Sequence, residues 1–448
     1  MSIARRALIA LFPLMLATQA ISAPVSPAPR QGLAVAIGGA LKLDNTEVWD
    51  RLVLEAGGPG SRFAVFAIAS DTPERGGERL ADALRKAGAI AEVIPVAPKL
   101  KNVDWKANRD DPAWIAKVAG MQGVFFSGGA QELITSTLQP NGQPTEMLKA
   151  IRQVFERGGV VAGTSAGAAI MSEWMFRDAQ DTLAVLKGKL REGHEIDHGL
   201  GFVGPQLFID QHFLKRGRIG RLLPIMQAKG YRWGLGVEEN SAALIRNGHI
   251  EVIGARGALF VDLSGASRDP QAAGFSVRGA LLTYLDRGDR HELLSNTTSP
   301  HPEKLAGNRI DPNSSAFKPF FKRANFYPDM LGDNTIVNAM AQLLDSPDRE
   351  LKGLAFNGRA LLERKAVDTE GHKDPDPTLG FEFRLYKGPQ TQGQYTGAWG
   401  GEDYSVQRML LDVLPVRLRS PLYEPALRSA APAPSTTQPA RAAAPAPR

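Results

Sequence analysis

Between Leu33 and Leu263 the chain alternates short apolar runs with longer stretches in which apolar positions recur every three or four residues. A short run bounded by glycine or polar turns predicts a buried strand, and the three-to-four spacing predicts a helix with one buried face. Leu33 to Ile37 therefore reads as a strand closed by Gly38 and Gly39, Thr46 to Glu55 as a helix, Phe63 to Ala69 as a strand, Glu74 to Ala87 as a helix and Ala91 to Val96 as a strand. Gly123 to Phe126 follows as a strand, Met147 to Arg157 as a helix and Val160 to Ala162 as one more strand. This rhythm predicts an α/β fold, a mostly parallel sheet flanked by helices on both faces. Such sheets collect ligands beyond the carboxyl ends of their strands, so chemistry is expected on that rim.

Outside this stretch the pattern changes. Residues 1 to about 22 carry Arg5 and Arg6, then an apolar run from Ala7 to Ala17, then small residues, the plan of a secretory signal peptide cut near Ala20 or Ser22. The run is short for a membrane span, so the expectation is a secreted or periplasmic protein with no stable membrane insertion after cleavage. In 296–428 Thr335 to Leu344 reads as a helix and Phe381 to Tyr386 and Met409 to Val413 as strands, with glycine-rich chain around Trp399. No motif explains this C-terminal extension, which fits a second small domain, a wrap around the core or a polymer-docking module. Residues 429–448, rich in Ala, Pro and Ser, read as a disordered tail.

Composition narrows the chemistry. With 448 residues, 43% hydrophobic and 22% charged, the chain has the balance of a soluble globular protein and length for more than one folding unit. The net charge of +6 is spread along the chain rather than gathered in a basic block, which argues against nucleic-acid binding. The absence of cysteine removes disulfides, thiol catalysis and a lipoprotein anchor together.

Four strings carry candidate chemistry. The first is Gly158 to Ala169, where an apolar strand enters Gly163-Thr164-Ser165-Ala166-Gly167 and leaves through small helix formers, the pattern of a nucleophile elbow. Glycines two positions either side of Ser165 let neighbouring chain pass a strained turn, and the next helix begins with amides near any developing oxyanion. In the second, Gly128-Gly129-Ala130-Gln131, paired glycines allow an amide to face a site on the same rim, and Gln131 can bond a substrate. The third, Phe208 to Arg221, sets Asp210, Gln211 and His212 beside Arg216, Arg218 and Arg221; the arginines can clamp carboxylates, and a helix begins near Ile219. In the fourth, Gly234-Leu235-Gly236-Val237-Glu238-Glu239, either acid at the strand end can orient a histidine. Asn247-Gly248 then reads as a hairpin turn.

A fifth string, His194-Glu195-Ile196-Asp197-His198, spells a zinc-peptidase motif that requires a continuous helix. Gly193 and Gly199 bracket it and helical periodicity is missing, so a polar loop leading to a strand near Phe202 is the competing reading. No metal or other cofactor is expected.

Together, Gly128 to Gln131, Gly163 to Ala168, Asp210 to Phe213 with Arg216, Arg218 and Arg221, and Gly234 to Glu239 resemble the cyanophycinase family of serine peptidases. The resemblance covers roughly residues 33–295. It implies a fold similar to class I glutamine amidotransferase-like and dipeptidase E-like sandwiches, and a triad of Ser165 as nucleophile, His212 as base and Glu239 as its orienting acid. The amides of Gly129 and Ala166 are the oxyanion-hole candidates, and the resemblance implies that Gln131, Asp210, Gln211, Arg216, Arg218 and Arg221 line the substrate cleft. It implies release of β-Asp-Arg dipeptides from cyanophycin and leaves room for a homodimer. Ala130 departs from the family, which usually has Asp or Asn there, so a related isoaspartyl or Asp-type peptidase on another β-aspartyl substrate is the near alternative. A zinc peptidase on His194, Glu195 and His198, or a non-catalytic polymer-binding protein, are the distant ones.

Overall fold

A computed structural model describes residues 31–177, 181–363, 374, 376–399, 403–419 and 421–423. The expected signal peptide and alanine-proline tail lie outside the described residues. Two large sheets organise the chain. The first runs Ile90–Val93, Arg62–Phe66, Gly123–Phe126, Val160–Thr164 and Leu33–Ile37 as parallel neighbours, then continues antiparallel through Ser241–Arg246, His249–Gly254, Arg290–Glu292 and Thr297–Ser299. Its central strands Leu33–Ile37 and Val160–Thr164 are buried at every position, as continuous apolar runs covered on both faces should be. Glu146–Glu156 packs Met147, Leu148, Ala150, Ile151 and Val154 inward, and Thr145 caps its start by accepting from the Leu148 amide at 3.3 Å. The Asn247-Gly248 turn has positive φ at both residues (52° and 79°), which closes a tight hairpin.

The elements expected from periodicity are present, with shifted ends. The strand expected to reach Val96 stops at Val93, just short of Pro95, which has no amide to donate. Two short helices, Trp105–Asp110 and Pro112–Ala119, are not apparent in the pattern; Asp104 and Asp111 cap them by accepting from the Ala107 and Ala113 amides. Among the described residues no helix is long and apolar enough to cross a membrane.

The second sheet is the larger departure from the single-sheet expectation. Leu207–Gln211 and Trp233–Val237 lie parallel at one edge, followed antiparallel by Ala258–Asp262, Val277–Leu285, Tyr404–Arg417, Leu379–Tyr395 and Asn308–Ile310. Glu350–Ala355 also pairs with the long strand Leu379–Tyr395. The sheet therefore passes without a seam from the front of the chain into the C-terminal extension. One apolar cluster mixes Phe208, Phe213 and Leu222 with Phe381, Phe383 and Met409, so the extension shares a core with the strands that approach the site.

Candidate active site

The strand Val160–Thr164 delivers Ser165 to the rim in a backbone conformation that L-residues rarely adopt, φ 53° and ψ −108°. The neighbouring glycines permit it. A methyl on Gly163 would lie 2.3 Å from the Gly167 carbonyl oxygen, and one on Gly167 would lie 2.6 Å from that of Phe126. Helix Ala166–Ala169 begins immediately afterwards and is only four residues long. Gly128 closes on Ser165 from beyond the neighbouring strand, so near that a methyl there would lie 3.7 Å from the serine Oγ. Neither the Gly129 nor the Ala166 amide is taken by a backbone carbonyl among the described residues.

The second sheet brings the partners. Gln211 ends one of its strands and Val237 the next, so His212 and Glu239 stand beyond the carboxyl ends of two parallel neighbours. Ser165 Oγ lies 2.8 Å from His212 Nε2, and His212 Nδ1 lies 2.6 Å from Glu239 Oε1. The two acids of the fourth string divide their work. Glu239 meets the imidazole, whereas the buried Glu238 carboxylate accepts from the Leu214 amide at 2.6 Å and the Lys215 amide at 3.0 Å, tying down the chain that leaves His212.

One short segment holds the chain at Ser165, at His212 and just after Glu239. The carbonyls of Ile37, Gly38 and Gly39 accept, in order, from the amides of Ser165 at 3.0 Å, His212 at 2.6 Å and Asn240 at 2.8 Å. Gly39 has φ +103°, and a methyl there would fall 2.2 Å from His212 Cε1. Sequence reading marks Gly38 and Gly39 only as the end of a strand. A glycine pair after a strand looks like any turn until the second sheet arrives against it.

Burial lowers the His212 pKa from 6.5; the bond to Glu239 opposes this, and the charges of Arg216 and Arg218 add to the lowering. The imidazole is therefore neutral at pH 7 and can accept a proton from Ser165.

Residues 78–253, which contain Ser165, His212 and Glu239, match the family model described as peptidase family S51. Over this segment the chain is similar to peptidase family S51. It is a hydrolase of the serine-peptidase type. Its relatives include the cyanophycinase of Synechococcus elongatus, 29% identical over 235 residues, 52% of this chain and 68% of the relative. The cyanophycinase of Geminocystis herdmanii is 29% identical over 268 residues, 57% of this chain and 91% of the relative. That of Trichormus variabilis is 31% identical over 201 residues, 43% and 63% of the two chains. Among solved structures, a peptidase from an acI-B1 actinobacterium covers 61% of this chain and 96% of its own, at 17% identity and a TM-score of 0.42.

Around Ser165, the other residues singled out from sequence take varied places. Gln131 donates from Nε2 to the carbonyls of Phe176 at 2.6 Å and Arg177 at 3.2 Å, so its amide nitrogen braces the loop beside the elbow. The expectation that all three arginines face substrate requires correction. Arg221 is buried, bonded through Nε and a terminal nitrogen to both oxygens of buried Asp210 at 2.8 and 2.5 Å, and stacked 4.2 Å over Phe176. Arg218, also buried, donates to the Gln211 carbonyl and side-chain oxygen, both at 2.6 Å; desolvation and then Arg221 bring its pKa down to about 9. Two cations and one acid under the histidine strand thus form an internal network. Arg216 alone of the three is exposed, close enough to His212 for its charge to be felt.

The zinc string fails on geometry. Gly193 takes φ +75°, Glu195 is bonded by Arg191, and Ile196–His198 is a strand paired with Trp174–Phe176. His198 packs against Trp174 with ring centroids 4.0 Å apart. The helix that would align both imidazoles is absent from these described residues.

Proposed function

We propose that this serine peptidase is an exported exopeptidase that releases β-Asp-Arg dipeptides from cyanophycin, an aspartate backbone bearing arginine on its side-chain carboxyls. The observation that carries the reading is the continuous pair of short hydrogen bonds from Ser165 through His212 to Glu239 on a strained elbow. Its cyanophycinase relatives support the substrate, and the leader-like residues 1–22 support export.

Ser165 Oγ attacks the scissile carbonyl carbon while its proton passes to His212 Nε2. The oxyanion is met by the amides of Gly129 and Ala166, donors of a kind worth about 2.7–4 kcal/mol each in the transition state. His212 then protonates the leaving amine as the C–N bond breaks, which leaves an ester on Ser165. Water gives a proton to His212 and attacks that ester, and Ser165 recovers its proton as the acid departs. Glu239 holds the imidazole tautomer and stabilises its protonated form. Exposed Arg216 is positioned to pair with a carboxylate of the polymer.

Ala130, where acid or amide is usual in the family, favours a second reading: a peptidase of the same mechanism acting on another β-aspartyl peptide. The deciding experiment incubates protein recovered from the medium or periplasm with insoluble cyanophycin, soluble β-aspartyl peptides and plain peptides. Wild type is expected to release β-Asp-Arg, and Ser165→Ala to fall on the order of 10⁶-fold. Unchanged release by Ser165→Ala overturns the serine mechanism, release only from other peptides selects the second reading, and absence of the protein from both compartments removes export.

A further inference from the structure

The extension carries a groove that the matched family segment, residues 78–253, does not include. It has a volume of about 800 Å³ and is lined by Phe317, Phe320, Tyr395, Arg309, Lys318 and Asp311, among others. Phe320 is 77% exposed, a large apolar ring left in water. Its backbone is nevertheless fixed. Buried Asp345 accepts from the Phe320 amide at 3.0 Å and from the Tyr404 hydroxyl at 3.2 Å, and Tyr404 in turn packs on Tyr395 with centroids 4.9 Å apart. An exposed aromatic on an anchored backbone loses little freedom on binding, which favours a stacking role.

We infer that this groove is a second binding site for the polymer, engaging units distant from the one being cleaved. The inference rests on the substrate reading above. In cyanophycin every arginine is joined through its α-amine, so each side chain ends in both a guanidinium and a free carboxylate. A partner needs aromatic faces and an acid for the first, and cations for the second. The groove has all three: Phe317 and Phe320 with Tyr395, Asp311, and Lys318 with Arg309, the last pairing with Asp311 at 3.9 Å. The mixed charge suits a zwitterionic chain better than a purely acidic or basic one.

Placement adds a length. Strand Asn308–Ile310 at the groove lies six strand positions across the second sheet from Leu207–Gln211, the strand that leads to His212. At about 4.8 Å per strand that is roughly 29 Å. An extended backbone of about 3.5 Å per residue needs at least about eight residues to reach. The groove therefore acts as an anchor for long chains and adds effective concentration at the catalytic serine.

The test measures retention on sedimented cyanophycin in the Ser165→Ala background, so that the polymer is not consumed, together with hydrolysis by the corresponding proteins with Ser165 intact. Phe320→Ala is expected to weaken retention and raise the apparent KM for polymer about three- to tenfold. Its kinetics on soluble oligomers shorter than about eight units should match wild type, and Phe320→Tyr should retain the parent's binding. Equal retention by Phe320→Ala, or a rate loss on the short oligomers, overturns the groove as a second site. If wild type cleaves polymer while the groove variant binds it unchanged, only this inference fails. If wild type neither binds nor cleaves it, the substrate reading fails as well.

Discussion

The loop that carries His212 is held from two sides in unlike ways. On the side of the first sheet, the Ile37 to Gly39 segment grips it through backbone hydrogen bonds, and Gly39 leaves no room even for a methyl group beside the imidazole. On the side of the extension, Asn334 donates its amide to the Leu214 carbonyl at 3.0 Å, Leu331 packs over Gly217 and Gly220, and Lys215 pairs with Asp333 at 2.5 Å. The first contact fixes where the imidazole is. The second mainly covers chain beyond it, and its ion pair is half in water. The imidazole is thus positioned directly by the first segment, and the extension acts on the chain that follows it, where a methyl on Gly217 would lie 1.9 Å from the Leu331 carbonyl oxygen.

The most damaging way to break this contrast is Gly39→Ala. The added methyl meets His212 and the residue must also hold a positive φ, so the imidazole shifts and hydrolysis should drop about 100-fold or more. Steady-state kinetics with folding followed by circular dichroism would check it; wild-type activity would mean that the segment merely closes a strand. Acid pH gives an intermediate effect. Because the His212 pKa is lowered, kcat/KM should stay level below pH 6.5 and then decline about tenfold per pH unit under the lowered midpoint, as the base becomes protonated. The same direction holds for stability: protonation is harder in the folded state, so the contribution of this group is lost as pH falls through the folded value. A pH–rate profile with its acid limb above 6.5 would contradict the electrostatics described. The mildest change is Lys215→Ala on the extension side. With side chains 53% and 47% exposed, water screens the pair, and thermal melting and kcat should barely move.

Much of this is legible in the sequence for identifiable reasons. The elbow shows because a strained serine needs glycine at fixed offsets, and the parallel strands show because burial on both faces leaves uninterrupted apolar runs. Thr46–Glu55 and Thr335–Leu344 match the helices expected from spacing, because each has a clear apolar face. The second sheet is hidden. Its long strands Leu379–Tyr395 and Tyr404–Arg417 are broken in pattern by Gly388, Pro389, Gly393 and Pro415, so only their most apolar stretches stand out. The pairing of Asp210 with Arg221 is hidden too, since a charged string does not reveal which of its members face inward. Gly38 and Gly39 can be understood only once strands more than 170 residues later lie against them.

Three successive carbonyls gripping the amides of Ser165, His212 and Asn240 also bear on how the site fails. A local opening that frees the segment loosens the nucleophile, the base and the residue after the acid in the same event. Loss of the site is then a single cooperative step whose free energy belongs to the central strand Leu33–Ile37, among the most deeply buried in the molecule.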